Sequence, residues 1–246
     1  TLHQNEPLWL RKSLFRRTRS RSMSDKDYHI VPFCSAPVRI IRPNKNFLFV
    51  AKPADLLTIP GRHEENKDCL ITRLQNHPKS QTATVVHRLD MATSGIMVVA
   101  LSKMAHREIS RQFEHRETQK HYIAVVDGLV EKDQGVIDKP MIADWPNRPK
   151  QKIDFDDGKK AITEWQVLER DTKNNRTRLK LTPITGRSPQ LRLHCLELGH
   201  PILGCNLYAK NGSEQKASRL LLHAESLTIK DPKTGNLVTA QAPCAF

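Results

Sequence analysis

The sequence predicts an α+β fold, a mostly antiparallel mixed sheet with flanking helices. Three observations carry that class. Strand-like runs outnumber helical ones, they follow one another in hairpin-like succession, and few segments show the three-to-four-residue apolar repeat of a packed helix. In chain order, Val38-Arg39-Ile40-Ile41 and Phe47 to Ala51 read as strands around an Asn44-Lys45 turn. Residues 68–77 read as a short helix. Val85 to Arg88 and Ile96 to Leu101 are β-branched, buried-looking strands flanking a polar loop. Ser102 caps a helix reaching about Arg116, on which Ala105, Ile109 and Phe113 lie opposite a basic stripe of Lys103, Arg107 and Arg111. Further strands are expected at 120–126, 161–168, 178–182, 220–223 and 237–241. Ser188 as N-cap, Pro189 at the first helical position and Gly199 past the end frame a helix over Pro189 to Leu198.

Composition narrows the function classes. The 246 residues hold 40 Lys plus Arg against 26 Asp plus Glu, a net charge of +14. Such an excess calls for a polyanionic partner, nucleic acid first and an acidic membrane surface second. The longest apolar runs, Ile96 to Leu101 and Phe47 to Ala51, fall far short of the roughly 20 residues that cross a bilayer as a helix. Five cysteines without a Cys-x-x-Cys pair read as reduced thiols of a cytoplasmic protein. No two of the ten glycines are separated by one residue, and none lies five before Gly158-Lys159, so both common nucleotide-binding loops are absent. Residues 1–30 carry seven basic and three acidic side chains without apolar periodicity and are expected to be a disordered basic extension. Their Arg/Ser-rich character suits a transit peptide, whereas Met23 resembles a start, and both origins stay open. Residues 31–246 are expected to form the functional domain.

One run concentrates the chemistry: His87-Arg88-Leu89-Asp90-Met91-Ala92-Thr93-Ser94-Gly95. It leaves one apolar strand and enters another, so Asp90 sits on a loop mounted on a rigid sheet, where catalytic groups collect. A kinase catalytic loop is excluded, because Leu89 separates Arg88 from Asp90 and neither a glycine-rich loop nor Asp-Phe-Gly is present. Read alone, an aspartate that caps a turn accounts for the run as well.

The pattern His-Arg-Leu-Asp-x-x-Thr-Ser-Gly resembles the signature of the RluA family of RNA pseudouridine synthases. Lys120-His121-Tyr122-Ile123-Ala124-Val125-Val126 and Thr185-Gly186-Arg187-Ser188-Pro189-Gln190-Leu191-Arg192-Leu193-His194 are similar to two further family blocks, as are His200 to Gly204 and Leu220 to Ala224. The resemblance spans residue 35 to the C-terminus. Asp144 to Lys152 is similar to the dual-specificity branch, lone catalytic domains without the S4 RNA-binding domain of larger relatives. One position departs: Pro189 stands where the family has histidine.

The resemblance implies the pseudouridine synthase catalytic-domain fold and isomerisation of uridine in structured RNA, in a tRNA anticodon loop and a 23S rRNA hairpin. The N-glycosidic bond breaks, the base turns, and C5 joins the anomeric carbon. Atoms are conserved, so no cofactor and no metal is expected. Asp90 takes the catalytic position, by addition to the anomeric carbon or by removal of the C2′ proton; both routes stay open. Arg187 is expected to pair with Asp90, and Tyr122 to lie against the base, with a core tyrosine as the plain alternative. The target base must leave its stack. Arg88 is the candidate to fill the gap, with a local salt bridge as the alternative. Leu222 matches an apolar position near the base. Arg107, Arg111, Arg148, Lys150 and Lys152 are candidate phosphate contacts, and Trp145 either stacks on a base or packs between prolines. His194, Glu197 and His200 are not expected to bind metal, since His194 and His200 do not share a helix face. RNA is the expected partner, the protein a cytoplasmic monomer, and a non-catalytic RNA chaperone on the same scaffold the rival.

Overall fold

The computed structural model describes residues 30–246. The basic extension assigned to residues 1–30 therefore lies, but for Ile30, outside the described residues. Twelve strands and three α-helices follow in chain order: β1 Arg39–Pro43, β2 Phe47–Lys52, α1 Leu70–Gln75, β3 Thr84–Val85, β4 Ser94–Ala100, α2 Lys103–Glu114, β5 Gln119–Asp127, β6 Gln134–Asp138, β7 Met141–Ala143, β8 Gln151–Ile153, β9 Ile162–Asp171, β10 Arg176–Pro183, α3 Gln190–Glu197, β11 Leu222–Lys230 and β12 Leu237–Gln241. Ten strands form one sheet ordered β1-β2-β4-β11-β5-β10-β9-β6, with β12 on β11 and β3 on β4; β7 and β8 make a separate hairpin. Every pairing is antiparallel except β11 with β4, so the expected class holds.

That parallel pair joins the two halves of the sheet. It matches His223 with Ser94 and Ala224 with Gly95. Gly95 has φ +124°, and a Cβ there would stand 2.2 Å from the Ala224 carbonyl oxygen. Glycine alone allows the strands to meet this closely. Beside it, Arg219 donates to Ser94 Oγ (2.6 Å), Ser94 Oγ lies 2.8 Å from His223 Nδ1, and His223 Nε2 donates to the Ala242 carbonyl at 2.7 Å.

Apolar residues gather in two clusters. One packs Phe47, Phe49 and Ile96 to Ala100 against α1 and α2; the other packs Ala124, Leu179 and Leu181 against α3. Tyr122 touches both and marks their seam. On α2 the expected faces appear: Ala105 and Ile109 are buried, Lys103, Arg107 and Arg111 exposed, and Ser102 Oγ accepts the Ala105 N–H at 3.2 Å.

Two helix starts differ from expectation. α1 begins at Leu70 behind Cys69. α3 begins at Gln190 with Pro189, not Ser188, at the N-cap, because Pro189 has φ −98° and ψ 65°, outside the helical region. The Ser188 hydroxyl is thereby free for another partner. The predicted 85–88 strand shrinks to Thr84–Val85, for a reason that concerns the site.

Candidate active site

A cleft of about 790 Å³ opens along the seam. Asp90, Tyr122, Arg187, Arg88 and Leu222 all line it, though they come from four separate stretches of chain. The Asp90 loop is clamped on both sides. Thr58 Oγ1 donates to the Leu89 carbonyl (2.8 Å), Lys52 Nζ donates to the Met91 carbonyl (2.9 Å), and the Thr93 N–H closes on the Asp90 carbonyl at 3.0 Å. Lys52 also donates to the carbonyls of Pro53 and Leu56. Burial pushes its amine down to about 7, opposed by the negative charges of Asp55 and Asp90.

His87 shapes the loop from the other end. Beyond Val85 the chain leaves β4, and the His87 ring replaces the lost strand, its Nε2 accepting the Val98 N–H at 3.0 Å. This substitution of a side chain for backbone pairing is why β3 is short. The ring stacks on Phe113 with centroids 4.3 Å apart. Burial first, and the Lys120 charge second, push the imidazole down to about 3, so it stays neutral and able to accept.

The arginine facing Asp90 is not the expected one. Arg187 lines the cleft, but its Nε donates to the Lys160 carbonyl at 2.9 Å. Arg192 instead brings Nη1 to 4.0 Å from Asp90 Oδ2, its side chain only 4% exposed against 29% for Asp90. A cation that deeply buried must be held. Its Nε donates to Cys205 Sγ (3.2 Å) and Nη2 to Asn206 Oδ1 (2.8 Å), both neutral groups. Ser188 Oγ donates to Asp90 Oδ1 at 2.5 Å. The turn between β10 and α3 makes this possible: Thr185 donates to Gln190 Oε1 (2.8 Å), and Gln190 Nε2 donates to the Ile162 carbonyl at 3.0 Å. That internal bracing leaves Arg187 on the rim and sends Arg192, one helical turn on, inward. One sequence signal pointed there, a lone cation between Leu191 and Leu193 on an apolar segment.

Tyr122 faces the cleft from β5. Burial, and then the nearby Asp90 charge, push its phenol above the ordinary range, so it keeps its proton. Leu222 is buried beside Ala124 on the neighbouring strand. Arg88 is exposed and makes no ion pair among the described residues.

The remaining candidates are not part of the cleft lining. Arg107 pairs with Glu108 (3.0 Å) and Arg111 with Glu117 (3.1 Å) on the outer face of α2. Trp145, Arg148, Lys150 and Lys152 belong to the β7–β8 hairpin, which Tyr208 fastens by accepting the Gln151 N–H at 2.7 Å. Trp145 does not pack between prolines; it is 66% exposed, with the Arg148 guanidinium 3.4 Å from its ring centroid. Lys152 lies 3.6 Å from Asp154. His194 bonds to Thr163 through Nδ1 and to the Lys139 carbonyl through Nε2, and His200 bonds to the Asp127 carbonyl through Nδ1.

Residues 46–197 match the family model described as RNA pseudouridylate synthase. The chain belongs to this family of RNA pseudouridine synthases, and within it to the RluA group. It is 54% identical over 196 residues to the dual-specificity RNA pseudouridine synthase RluA of Yersinia pestis, covering 80% of this chain and 94% of that one. Against the protein of the same name from Escherichia coli K12 it is 51% identical over 208 residues, covering 84% and 93%. Among solved structures, human RNA pseudouridylate synthase domain containing 1 superposes with a TM-score of 0.71 at 28% identity, over 86% of this chain and 85% of that one. This synthase is thus an isomerase of uridine in RNA, and its fold is the pseudouridine synthase fold.

Proposed function

We propose that this synthase modifies uridines in two RNA classes, a tRNA anticodon loop and a 23S rRNA hairpin, with residues 31–246 as the catalytic domain and Asp90 as its reacting group. One observation carries the assignment of Asp90: its carboxylate reaches the cleft from a loop clamped at both neighbouring residues, met by one buried guanidinium and one hydroxyl. A carboxylate so placed acts on the ribose of an extruded uridine, at the anomeric carbon or at the C2′ proton. Arg192 offsets its negative charge from the buried side of the carboxylate. Tyr122 offers its ring face to the uracil and a hydroxyl that retains its proton, while Leu222 supports the base from below. Arg88 takes the vacated place in the RNA stack, and Arg187 contacts the strand at the rim. The basic face of α2 (Arg107, Arg111) and the hairpin residues Trp145, Arg148, Lys150 and Lys152 engage RNA further out. The reading of dual specificity is supported by the similarity to the dual-specificity bacterial relatives together with the Asp144 to Lys152 segment. The enzyme is read as a cytoplasmic monomer.

The experiment is direct. Purified protein is incubated with tRNA and rRNA transcripts, and pseudouridine is mapped by carbodiimide primer extension. Wild type is expected to modify both, and Asp90→Asn to lose activity by at least about 10³-fold while still binding RNA. Absence of product from wild type on every RNA would favour a non-catalytic RNA chaperone.

A further inference from the structure

The Phe113 end of the cleft holds two cations without a counter-ion among the described residues. Arg116 and Lys120 both line it, and neither makes an ion pair or side-chain hydrogen bond among the described residues. Glu114, the other carboxylate of the lining besides Asp90, is paired with neither. Lys120 is half-buried, its Nζ 5.9 Å from the Phe113 ring centroid and close beside Gly186, where a Cβ would stand 3.4 Å from it. Its amine is pushed down by burial and then by the Arg116 charge, as expected of like charges brought together.

Arg116 is also held at a conformational cost. The Glu117 N–H bonds to the Gln112 carbonyl and the Arg116 N–H to the Phe113 carbonyl, the paired bonds of a Schellman helix end. Arg116 occupies the left-handed position of that motif with φ +60°, where glycine is the unstrained residue. Arg116 thus places a long cation in a glycine position on the cleft lining, beside Lys120, a second cation without an ion-pair partner among the described residues.

We propose that Arg116 and Lys120 form a phosphodiester subsite that holds the backbone phosphate flanking the target uridine. Lys120 stands two residues before Tyr122 on β5, ~7 Å along the strand and on the same face, so a phosphate held there belongs to the nucleotide whose base lies on Tyr122 or to its neighbour. The inference rests on the reading that the cleft receives an RNA uridine.

Binding of a fluorescent anticodon stem-loop, followed by anisotropy across a salt series, tests it without requiring turnover. Arg116→Gly is expected to raise Tm by about 2 °C or more by relieving the backbone and yet to bind the RNA roughly tenfold more weakly, with a log–log salt slope shallower by about 0.7. Lys120→Gln should weaken binding similarly, whereas Lys173→Ala, in the β9–β10 turn at the far end of β5, should not. A neutral methylphosphonate at a phosphate flanking the target uridine should weaken the wild type about tenfold and the Arg116→Gly, Lys120→Gln double variant hardly at all. Wild-type affinity and slope in both single variants, or an undiminished methylphosphonate penalty in the double variant, would overturn the subsite. Pseudouridine formation is scored separately. Cation-dependent binding without product keeps the subsite and rejects the isomerase site, product with indifferent variants does the reverse, and no RNA binding by wild type rejects both.

Discussion

At the scale of single residues, the cleft is governed by which cation Asp90 faces. Arg192 is buried and its hydrogen-bond acceptors are a thiol and an amide, so its positive charge is undiminished and Asp90 is the anion it meets. Arg187 spends one N–H on a backbone carbonyl near the surface. The two arginines should therefore respond oppositely to substitution. Arg192→Gln is expected to slow single-turnover pseudouridine formation by about 10²-fold or more and to lower Tm, because Asp90 loses its facing cation and the buried side chain loses its hydrogen bonds to Cys205 and Asn206. Arg187→Gln should leave Tm nearly unchanged and act mainly through RNA affinity. Calorimetry beside rapid-quench kinetics separates the cases, and the reverse ranking would return Arg187 to the partner role that the motif implied. A linear pattern marks both arginines without saying which side of a turn each occupies.

At the scale of elements, two devices hold the catalytic loop to the sheet. The Thr93-Ser94-Gly95 end enters β4 at its contact with β11, and a methyl group at residue 95 would collide with Ala224 backbone. Gly95→Ala should cost about 3 kcal/mol or more in urea unfolding; a near-neutral result would mean that the parallel pairing is looser than described. The His87 end depends on a neutral imidazole. With a folded value near 3 against an ordinary 6.5, the unfolded chain takes up the proton first. Stability is then full above about 6.5 and is lost as pH falls toward 3, by up to about 1.4 kcal/mol per pH unit from this residue. His87→Gln should make that acid slope shallower by one proton's worth, while His121, His194 and His223, also pushed down mainly by burial, keep contributing to it. An unchanged slope would contradict the buried acceptor role. Neither device was visible in local periodicity: the ladder bond from Val98 to an imidazole replaces strand pairing that the β-branched pattern had promised through Arg88.

At the scale of the whole molecule, the +14 charge finds its use. Several cations on α2 are tied to carboxylates, whereas Arg88, Arg116 and Lys120 in the cleft have no such partner among the described residues. RNA affinity should accordingly fall by about tenfold or more between 0.05 and 0.2 M salt as phosphate contacts displace counter-ions. A flat response in filter binding would remove the electrostatic grip. The two apolar clusters meet at Tyr122, so the cleft is the natural crevice where the halves of the sheet join, and residues far apart in sequence reach it from both.

Local pattern sufficed for the α+β class, most strand positions, the capped amphipathic helix α2, and the placement of Asp90 on a loop between buried strands, because alternation, capping and turn chemistry act over a few residues. Motif resemblance added Tyr122, Leu222 and the uridine isomerase reading. Folding assigned everything that depends on who meets whom across the chain: Lys52 and Thr58 clamping the Asp90 loop, Ser188 turned away from a cap, Arg192 inside and Arg187 at the rim, and Arg116 beside Lys120. Lys52, Thr58, Ser188 and Arg192 reach the Asp90 loop from 31 to 102 positions away in the chain, and the β4–β11 pairing joins residues 129 apart, separations that no short stretch of sequence encodes.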